Sequence, residues 1–151
     1  MEVITASKIA PEQLIPCSEA DIRQLEAQLG LKIPQAYREF LLTMGLGAGG
    51  LLDGTHCWYP NLIDLQAWGI ELLEENNVSD LLPEDAFVFW MHQGYMMAFF
   101  RVSEGDDPPV YFFGEGRNLT TFTLTKHTCS SFLLMEFEGE AKARAQLEGN
   151  R

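Results

Sequence analysis

The chain has few of the residues that would crosslink it or anchor it in a membrane. Its 151 residues include three cysteines, an odd number without Cys-x-x-Cys spacing, so we predict no disulfide framework and a reducing compartment. No stretch approaches the roughly 18 successive apolar residues of a membrane span, and the N-terminus lacks a basic segment followed by an apolar run. We therefore predict a cytoplasmic protein with no membrane partner, folded as one domain over residues 1–151.

Basic residues are also scarce. Ten Lys and Arg face 22 Asp and Glu, which gives a formal net charge of -12, and residues 39–100 contain no Lys or Arg. That segment carries Glu39, Asp53, Asp64, Glu71, Glu74, Glu75, Asp80, Glu84 and Asp85. Such a surface repels nucleic acid and anionic lipid, whereas it attracts a basic protein and speeds its association. The alternative is that the acidic charge only keeps the protein dispersed.

Motifs for catalysis or cofactor binding are missing. The sequence has no Gly-x-Ser-x-Gly elbow, phosphate-binding loop or dinucleotide fingerprint. The residues that invite a zinc hypothesis lack the spacing of common structural sites; they are His56, His92, His127, Cys57 and Cys129. Adjacent acids such as Glu74 and Glu75 usually face water and keep ordinary pKa values. We predict no catalytic residues, no cofactor and no metal, and a small hydrolase using the carboxylates or the His and Cys residues is the alternative.

Residues 18–45 have the pattern of two helices joined by a turn. Ser18 is a suitable N-cap, and Asp21 three residues later can reach back to it. Gly30 suits the left-handed end of the first helix, Pro34 suits the start of the second, and Gly45 closes it. Six apolar side chains at helical spacing are predicted to be buried against a sheet formed by residues 86–113: Ile22, Leu25, Leu29, Tyr37, Phe40 and Leu41.

The rest of the chain mixes helix and strand patterns. Short strands are predicted at 51–52 and 57–59 around Gly54, followed by a helix capped by Asn61 or Asp64 in which Leu65, Trp68 and Leu72 share a face. Segments rich in aromatic and β-branched residues predict antiparallel strands at 86–90, 95–102, 110–113 and 120–124. In the last of these strands, Phe122 and Leu124 should face inward. Ser130 or Ser131 then caps a final helix that leads into a solvated helical tail over residues 138–151.

These elements predict an α+β fold. An N-terminal helical hairpin and further helices pack on a mainly antiparallel sheet of about four to six strands. The strands at 95–102 and 110–113 are apolar on both faces, so helices should cover one side and a groove or a homodimer contact the other.

Several motifs in this order resemble the SUKH superfamily. The resemblance is carried by Ser18-Glu19-Ala20-Asp21-Ile22, Leu29-Gly30, Ile33-Pro34, the glycines 45, 47, 49 and 50, Phe87-Val88-Phe89-Trp90, Gln93-Gly94-Tyr95, the acidic turn 104–109, Val110-Tyr111-Phe112-Phe113 and Ser131-Phe132. These motifs define a SUKH-like core over residues 18–137. The chain departs from the family at Met44-Gly45-Leu46-Gly47, where an Asn-Gly or Gly-Gly pair is usual. Residues 53–83 carry no motif by which they can be aligned with the family residue by residue.

The superfamily comprises fungal cell-wall regulators and bacterial toxin-immunity proteins. The resemblance therefore implies a protein-binding immunity protein that neutralises a cognate, basic, nuclease-type toxin by blocking its surface, and a regulatory protein-interaction scaffold is the alternative. Nucleases carry basic surfaces to hold nucleic acid. The candidate partner-binding residues are then Glu71, Glu74, Glu75, Asp80, Glu84 and Asp85.

Overall fold

The computed structural model describes residues 11–50, 52, 54–78, 80–115 and 121–149. Its helices are α1 (Glu19–Leu29), α2 (Gln35–Met44), α3 (Leu62–Glu75) and α4 (Cys129–Gly149). Its strands are β1 (Leu14–Ile15), β2 (Gly47–Ala48), β3 (Thr55–His56), β4 (Ala86–His92), β5 (Met96–Arg101), β6 (Pro109–Gly114) and β7 (Thr123–Thr128). Strands β3 to β7 form an antiparallel sheet in sequence order, and β1 and β2 form a small second sheet. The predicted α+β class is confirmed.

The N-terminal hairpin lies where the sequence predicts it. The Ser18 Oγ accepts a hydrogen bond from the Asp21 N–H at 3.1 Å, and the Asp21 carboxylate accepts one from the Ser18 N–H at 2.9 Å. Gly30 ends α1 in the left-handed conformation, with φ of 65°. The turn is then closed by the Ile33 N–H, which donates to the Glu26 carboxylate at 2.9 Å. Local capping chemistry thus sets both ends of α1.

One face of the five-stranded sheet packs against α2 and α4. The Tyr37 ring of α2 lies 5.4 Å from the rings of Phe87 and Phe100 and 5.8 Å from that of Phe89. Phe132 of α4 meets Phe89 edge-on at 5.4 Å. Alternating residues of β4 and β5 supply this aromatic layer, because successive side chains of a strand point to opposite faces.

The opposite face of the sheet is covered in part by α3. A Cβ at Gly69 would lie 3.1 Å from Val88 Cγ2 and 3.2 Å from Met97 Sδ, so glycine lets the helix approach β4 and β5 closely. The sequence prediction left this face of strands 95–102 and 110–113 to a groove or a second copy of the chain. Over β4 and β5, a helix of the same chain covers it instead.

The short strand β3 pairs with only the last residues of β4. Nearer the start of β4, a side chain of α3 hydrogen-bonds to the same edge of the strand. The Gln66 Oε1 accepts from the Val88 N–H at 2.9 Å, and the Gln66 Nε2 donates to the Val88 carbonyl at 2.8 Å. These bonds lie beside an irregularity in the pairing of β4 with β5, between Val88 and Trp90. The amide thus takes the place of a neighbouring strand and fixes α3 against the sheet.

The hairpin side chains predicted to be buried are buried, apart from Leu29, which is half-buried. Their contacts differ from the prediction in one respect. Tyr37 meets the sheet, but the Phe40 ring stacks on Trp58 at 6.0 Å and meets Phe137 of α4 at 6.1 Å. Phe40 therefore joins α2 to α4 rather than to the sheet.

The predicted short strands around Gly54 were wrong. Leu52 lies in a turn with φ of 55°, and residues 57–59 follow β3 and lead into the 3₁₀ turn Tyr59–Asn61. The strand forms instead at Thr55–His56, because Thr55 pairs with His92 at the end of β4. Leu51 and Asp53 lie outside the described residues. The predicted helix is α3; Asn61 occupies its N-cap position without a side-chain capping bond.

The last strand lies further along the chain than predicted. β7 begins at Thr123 rather than residue 120, which lies outside the described residues. Leu124 was expected to face inward, yet 57% of it is exposed. It pairs with Tyr111 on an edge strand, and α3 packs over β4 and β5 instead of this edge. An inward-facing strand position is buried only where another element covers it.

The final helix begins before the serines predicted to cap it. α4 starts at Cys129, and its first turn is capped by Asp107, whose carboxylate accepts from the Ser130 N–H at 2.9 Å. The helix continues to Gly149, so residues 138–149 of the predicted tail extend α4. Within the described ranges, no helix has the length and apolar character that a membrane crossing requires.

Candidate partner-binding surface

The six predicted acids follow one another along residues 71–85, from the second half of α3 to the residues just before β4. Glu71, Glu74 and Glu75 are exposed in the second half of α3, and Asp80 is exposed in the loop that follows. Glu84 is exposed just before β4, while Asp85 beside it is only partly exposed. Because residues four apart lie on the same side of a helix, Glu71 and Glu75 are neighbours.

Asp85 differs from the others because its carboxylate is already occupied. It accepts hydrogen bonds from the Ser103 hydroxyl and from the Arg101 Nε, the latter at 2.8 Å. The Ser103 hydrogen bond, aided by Arg101 and opposed by burial, lowers the pKa of Asp85. Asp80 also has a local partner, since the Thr121 hydroxyl donates to its carboxylate. The structure therefore gives Asp85 a role in joining β4 to the end of β5.

Replacing Asp85 by Asn should lower the free energy of unfolding at pH 7, and the loss should shrink as the pH falls. A carboxyl whose pKa is lowered by folding stabilises the protein above its unfolded pKa of about 4, and this stabilisation disappears as the pH falls through the folded pKa. Urea unfolding of both proteins from pH 7 towards pH 3 measures the difference. Glu84→Gln is the matched control and should change little, and a loss for Asp85→Asn that does not vary with pH would contradict the assignment.

A groove beside α3 contains two of the predicted acids. This α3 groove encloses about 300 Å³ and is lined by His56, Trp68, Glu71, Leu72, Glu75, Met91 and Gly94. The rings of His56 and Trp68 meet edge-on at 5.3 Å. An indole ring beside two carboxylates can hold a Lys or Arg side chain through cation–π attraction and charge-assisted hydrogen bonds. The lining of the groove includes no Lys or Arg.

The solvent side of α3 also carries apolar residues. Ile63 is 39% exposed and Ile70 is 48% exposed. With exposed Ala67 between them and Glu74 one turn further on, they form a stripe at helical spacing. Apolar residues bordered by charged ones are typical of the centre and rim of a protein interface.

Sequence reasoning found the acids of this surface but missed its apolar and aromatic parts. Trp68 was assigned to the buried face of the helix, and it is instead half-buried beside the groove. The spacing of Ile63, Ala67 and Ile70 was the available signal for a second apolar stripe. His56 and Met91 had no such signal, because only the pairing of β3 with β4 brings them next to α3.

The three cysteine thiols are buried away from solvent. All three cysteines are free and buried, and burial raises the pKa of Cys17 to about 12 and that of Cys57 and Cys129 further. Such thiols stay protonated at neutral pH, so they are poor nucleophiles and poor metal ligands. Across the described part of the chain, no three His, Cys, Asp or Glu residues are placed to hold a metal ion.

We expect untagged protein to contain no stoichiometric zinc and to keep its fold in the presence of a chelator. A structural zinc site contributes directly to folding, so its removal would unfold the domain. Elemental analysis and circular dichroism with and without chelator test this together. One zinc per chain, with loss of the helical signal on chelation, would overturn the expectation.

Comparison with known proteins identifies the family to which this fold corresponds. The sequence profile of the SMI1 / KNR4 family (SUKH-1) matches residues 16–133. No curated protein matches the chain. The matched segment includes α3 and the whole five-stranded sheet, and it confirms the resemblance drawn from the sequence motifs.

Proposed function

We propose that this chain, which belongs to the SMI1 / KNR4 family (SUKH-1), is an immunity protein. It binds a basic, nuclease-type toxin and blocks the surface with which the toxin holds nucleic acid. The family includes toxin immunity proteins. The observation that carries the proposal is the acidic surface around α3, within a segment that has no Lys or Arg from residue 39 to residue 100. Such a surface competes with nucleic acid for the basic site of a nuclease.

The charges of this surface are available to a partner. The described residues contain two ion pairs, Arg38 with Glu19 and Arg101 with Asp85, and neither involves a carboxylate of α3. Carboxylates without a local cation produce a stronger attractive field for an approaching basic protein. Ile63 and Ile70 supply apolar contact area at the centre, so the surface supports both rapid encounter and close contact.

The same proposal assigns the protein no chemistry of its own and a cytoplasmic location. The buried, protonated thiols remove the basis for a cysteine hydrolase. Binding to the toxin is then sufficient for protection.

The gene immediately upstream of this chain's gene provides the test, because the proposal predicts that it encodes a toxin domain. We expect the purified domain to form a complex with the chain and to lose its cleavage of nucleic acid in proportion to the chain added. An unrelated acidic protein of similar size and net charge is the control and should not inhibit at physiological salt, where long-range charge effects are screened. An active toxin that neither binds the chain nor is inhibited by it would contradict the proposal.

A further inference from the structure

One face of the second half of α3 forms a wall of the α3 groove. Trp68, Glu71, Leu72 and Glu75 all line it, and their spacing of three or four residues places them on the same side of the helix. Leu72 and Met91 are buried, so they close the groove towards the core. Glu71 and Glu75 are exposed and lie at its opening. The groove therefore has an apolar base and an acidic entrance.

The aromatic part of the groove leaves an indole surface open to a ligand. Trp68 is half-buried, and its ring meets that of His56 edge-on, with centroids 5.3 Å apart and planes at 66°. An indole ring has two faces, and the His56 contact can occupy only one of them. Indole is the aromatic group that attracts a cation placed over its face most strongly.

The two carboxylates at the entrance form no ion pair with a described residue. The ion pairs of the described chain join Arg38 to Glu19 and Arg101 to Asp85. On a helix, residues four apart such as Glu71 and Glu75 have Cβ atoms about 5–6 Å apart. A guanidinium has several N–H donors in one plane, so a single arginine head can donate to both carboxylates and stack on an indole. A lysine ammonium cannot stack in this way.

The volume of the groove limits what can enter it. It encloses about 300 Å³, which is at the lower end of the range of about 300–1,000 Å³ that small-molecule sites span. One long side chain fits this space better than a larger ligand does. An anionic group would be repelled by Glu71 and Glu75, whereas a cationic one would be attracted.

We propose that the α3 groove receives one arginine side chain of the toxin, with the guanidinium over the Trp68 ring and its N–H groups donating to Glu71 and Glu75. This inference rests on the proposed function, because the arginine belongs to the basic partner. The carboxylates then take the place of the phosphate oxygens that the same arginine would bind in nucleic acid. The groove is the point at which the chain competes directly with the toxin's substrate.

The apolar stripe on the solvent side of α3 lies next to this arginine site. Glu71 is one helical turn from Ala67 of the stripe and one turn from Glu75 of the groove, so it joins the two faces. Ile63 and Ile70 therefore supply apolar contacts beside the bound guanidinium. Arginine and tryptophan side chains that are shielded from water by such neighbours are typical hot spots of protein interfaces.

A small arginine probe tests the groove without the toxin. Nα-acetyl-arginine N-methylamide carries the guanidinium, and its citrulline counterpart has nearly the same shape without the charge. In ¹⁵N-labelled protein, the Trp68 indole N–H resonance should move progressively with millimolar arginine probe. The citrulline and lysine counterparts should bind about fivefold or more weakly, because one lacks the charge and the other the planar head. The indole resonances of Trp58 and Trp90, which do not line this groove, should stay in place.

Substitutions in α3 identify the binding residues. Glu71→Gln with Glu75→Gln should weaken the Trp68 response to the arginine probe by about fivefold or more. Glu74→Gln with Glu84→Gln removes the same charge from exposed positions outside the groove, so it should leave the response nearly unchanged. Trp68→Leu should weaken binding by about two- to fivefold, as followed at the Gly94 amide, which also lines the groove.

Three results would overturn the inference. They are a Trp68 resonance that ignores the arginine probe, one that follows the citrulline or lysine probe equally, and a response that the Glu71 and Glu75 variant keeps or that the Glu74 and Glu84 variant loses to the same extent. The probe experiments contain no toxin, so they test the groove alone. A toxin that the chain does not inhibit would instead count against the proposed function.

Discussion

Truncation of Phe40 to Ala should lower the free energy of unfolding by about 3–5 kcal/mol. The side chain is fully buried, and its ring contacts Tyr37, Trp58 and Phe137. These neighbours belong to α2, to the segment before α3 and to α4, so no single element can shift to fill the cavity. Urea or thermal unfolding followed by circular dichroism measures the loss.

Leu147→Ala is the control for this substitution. Leu147 is also an apolar residue on a helix, but 69% of it is exposed, so its removal should change stability by no more than about 0.5 kcal/mol. A Phe40→Ala protein that unfolds at nearly the wild-type midpoint would contradict the packing of α2 against α4.

Reversal of four charges to Lys, at Glu71, Glu74, Glu75 and Asp80, should slow association with the toxin by about tenfold to a hundredfold and weaken binding, while the fold stays intact. Exposed charges contribute little to stability, but they dominate the encounter with an oppositely charged partner. Asp85 is left unchanged because Arg101 and Ser103 already bind its carboxylate. Stopped-flow or surface-binding kinetics measure the rate.

A matched variant distinguishes the effect of this surface on the association rate from the effect of net charge. Reversal to Lys at Glu12, Asp106, Glu115 and Glu138, which are exposed elsewhere, changes the total charge by the same amount and should slow association much less. The wild-type rate should fall as salt rises, because charges are screened beyond about 8 Å at physiological ionic strength. The association rate of the Glu71, Glu74, Glu75 and Asp80 reversal should depend less on salt than the wild-type rate does. Equal slowing by both variants would show that net charge, rather than the acidic surface around α3, directs the encounter.

Local chemistry explains which parts of the fold the sequence reveals. The capping residues Ser18, Asp21 and Gly30 lie within the helix that they bound, so its ends are predictable. The start of α4 depends on Asp107, which lies 23 positions before Ser130, and no local pattern shows that contact. β7 likewise takes its position from pairing with β6, so its start was predicted too early.

The candidate site divides in the same way. The exposure of Glu71, Glu74 and Glu75 follows from their helical spacing and polarity, which are properties of the segment itself. The α3 groove depends on residues from separate elements, because the pairing of β3 with β4 brings His56 and Met91 beside α3. The exposed acidic charges were therefore predictable from the sequence, and the groove that they line was not.

Survival of cells that co-express the toxin with each variant tests the central claim most directly. Cells with the wild-type chain or the matched control variant should survive, and cells with the Glu71, Glu74, Glu75 and Asp80 reversal should lose protection although the protein remains folded and abundant. If the folded reversal variant protects cells as well as the wild type does, the acidic surface around α3 is not the toxin-binding surface.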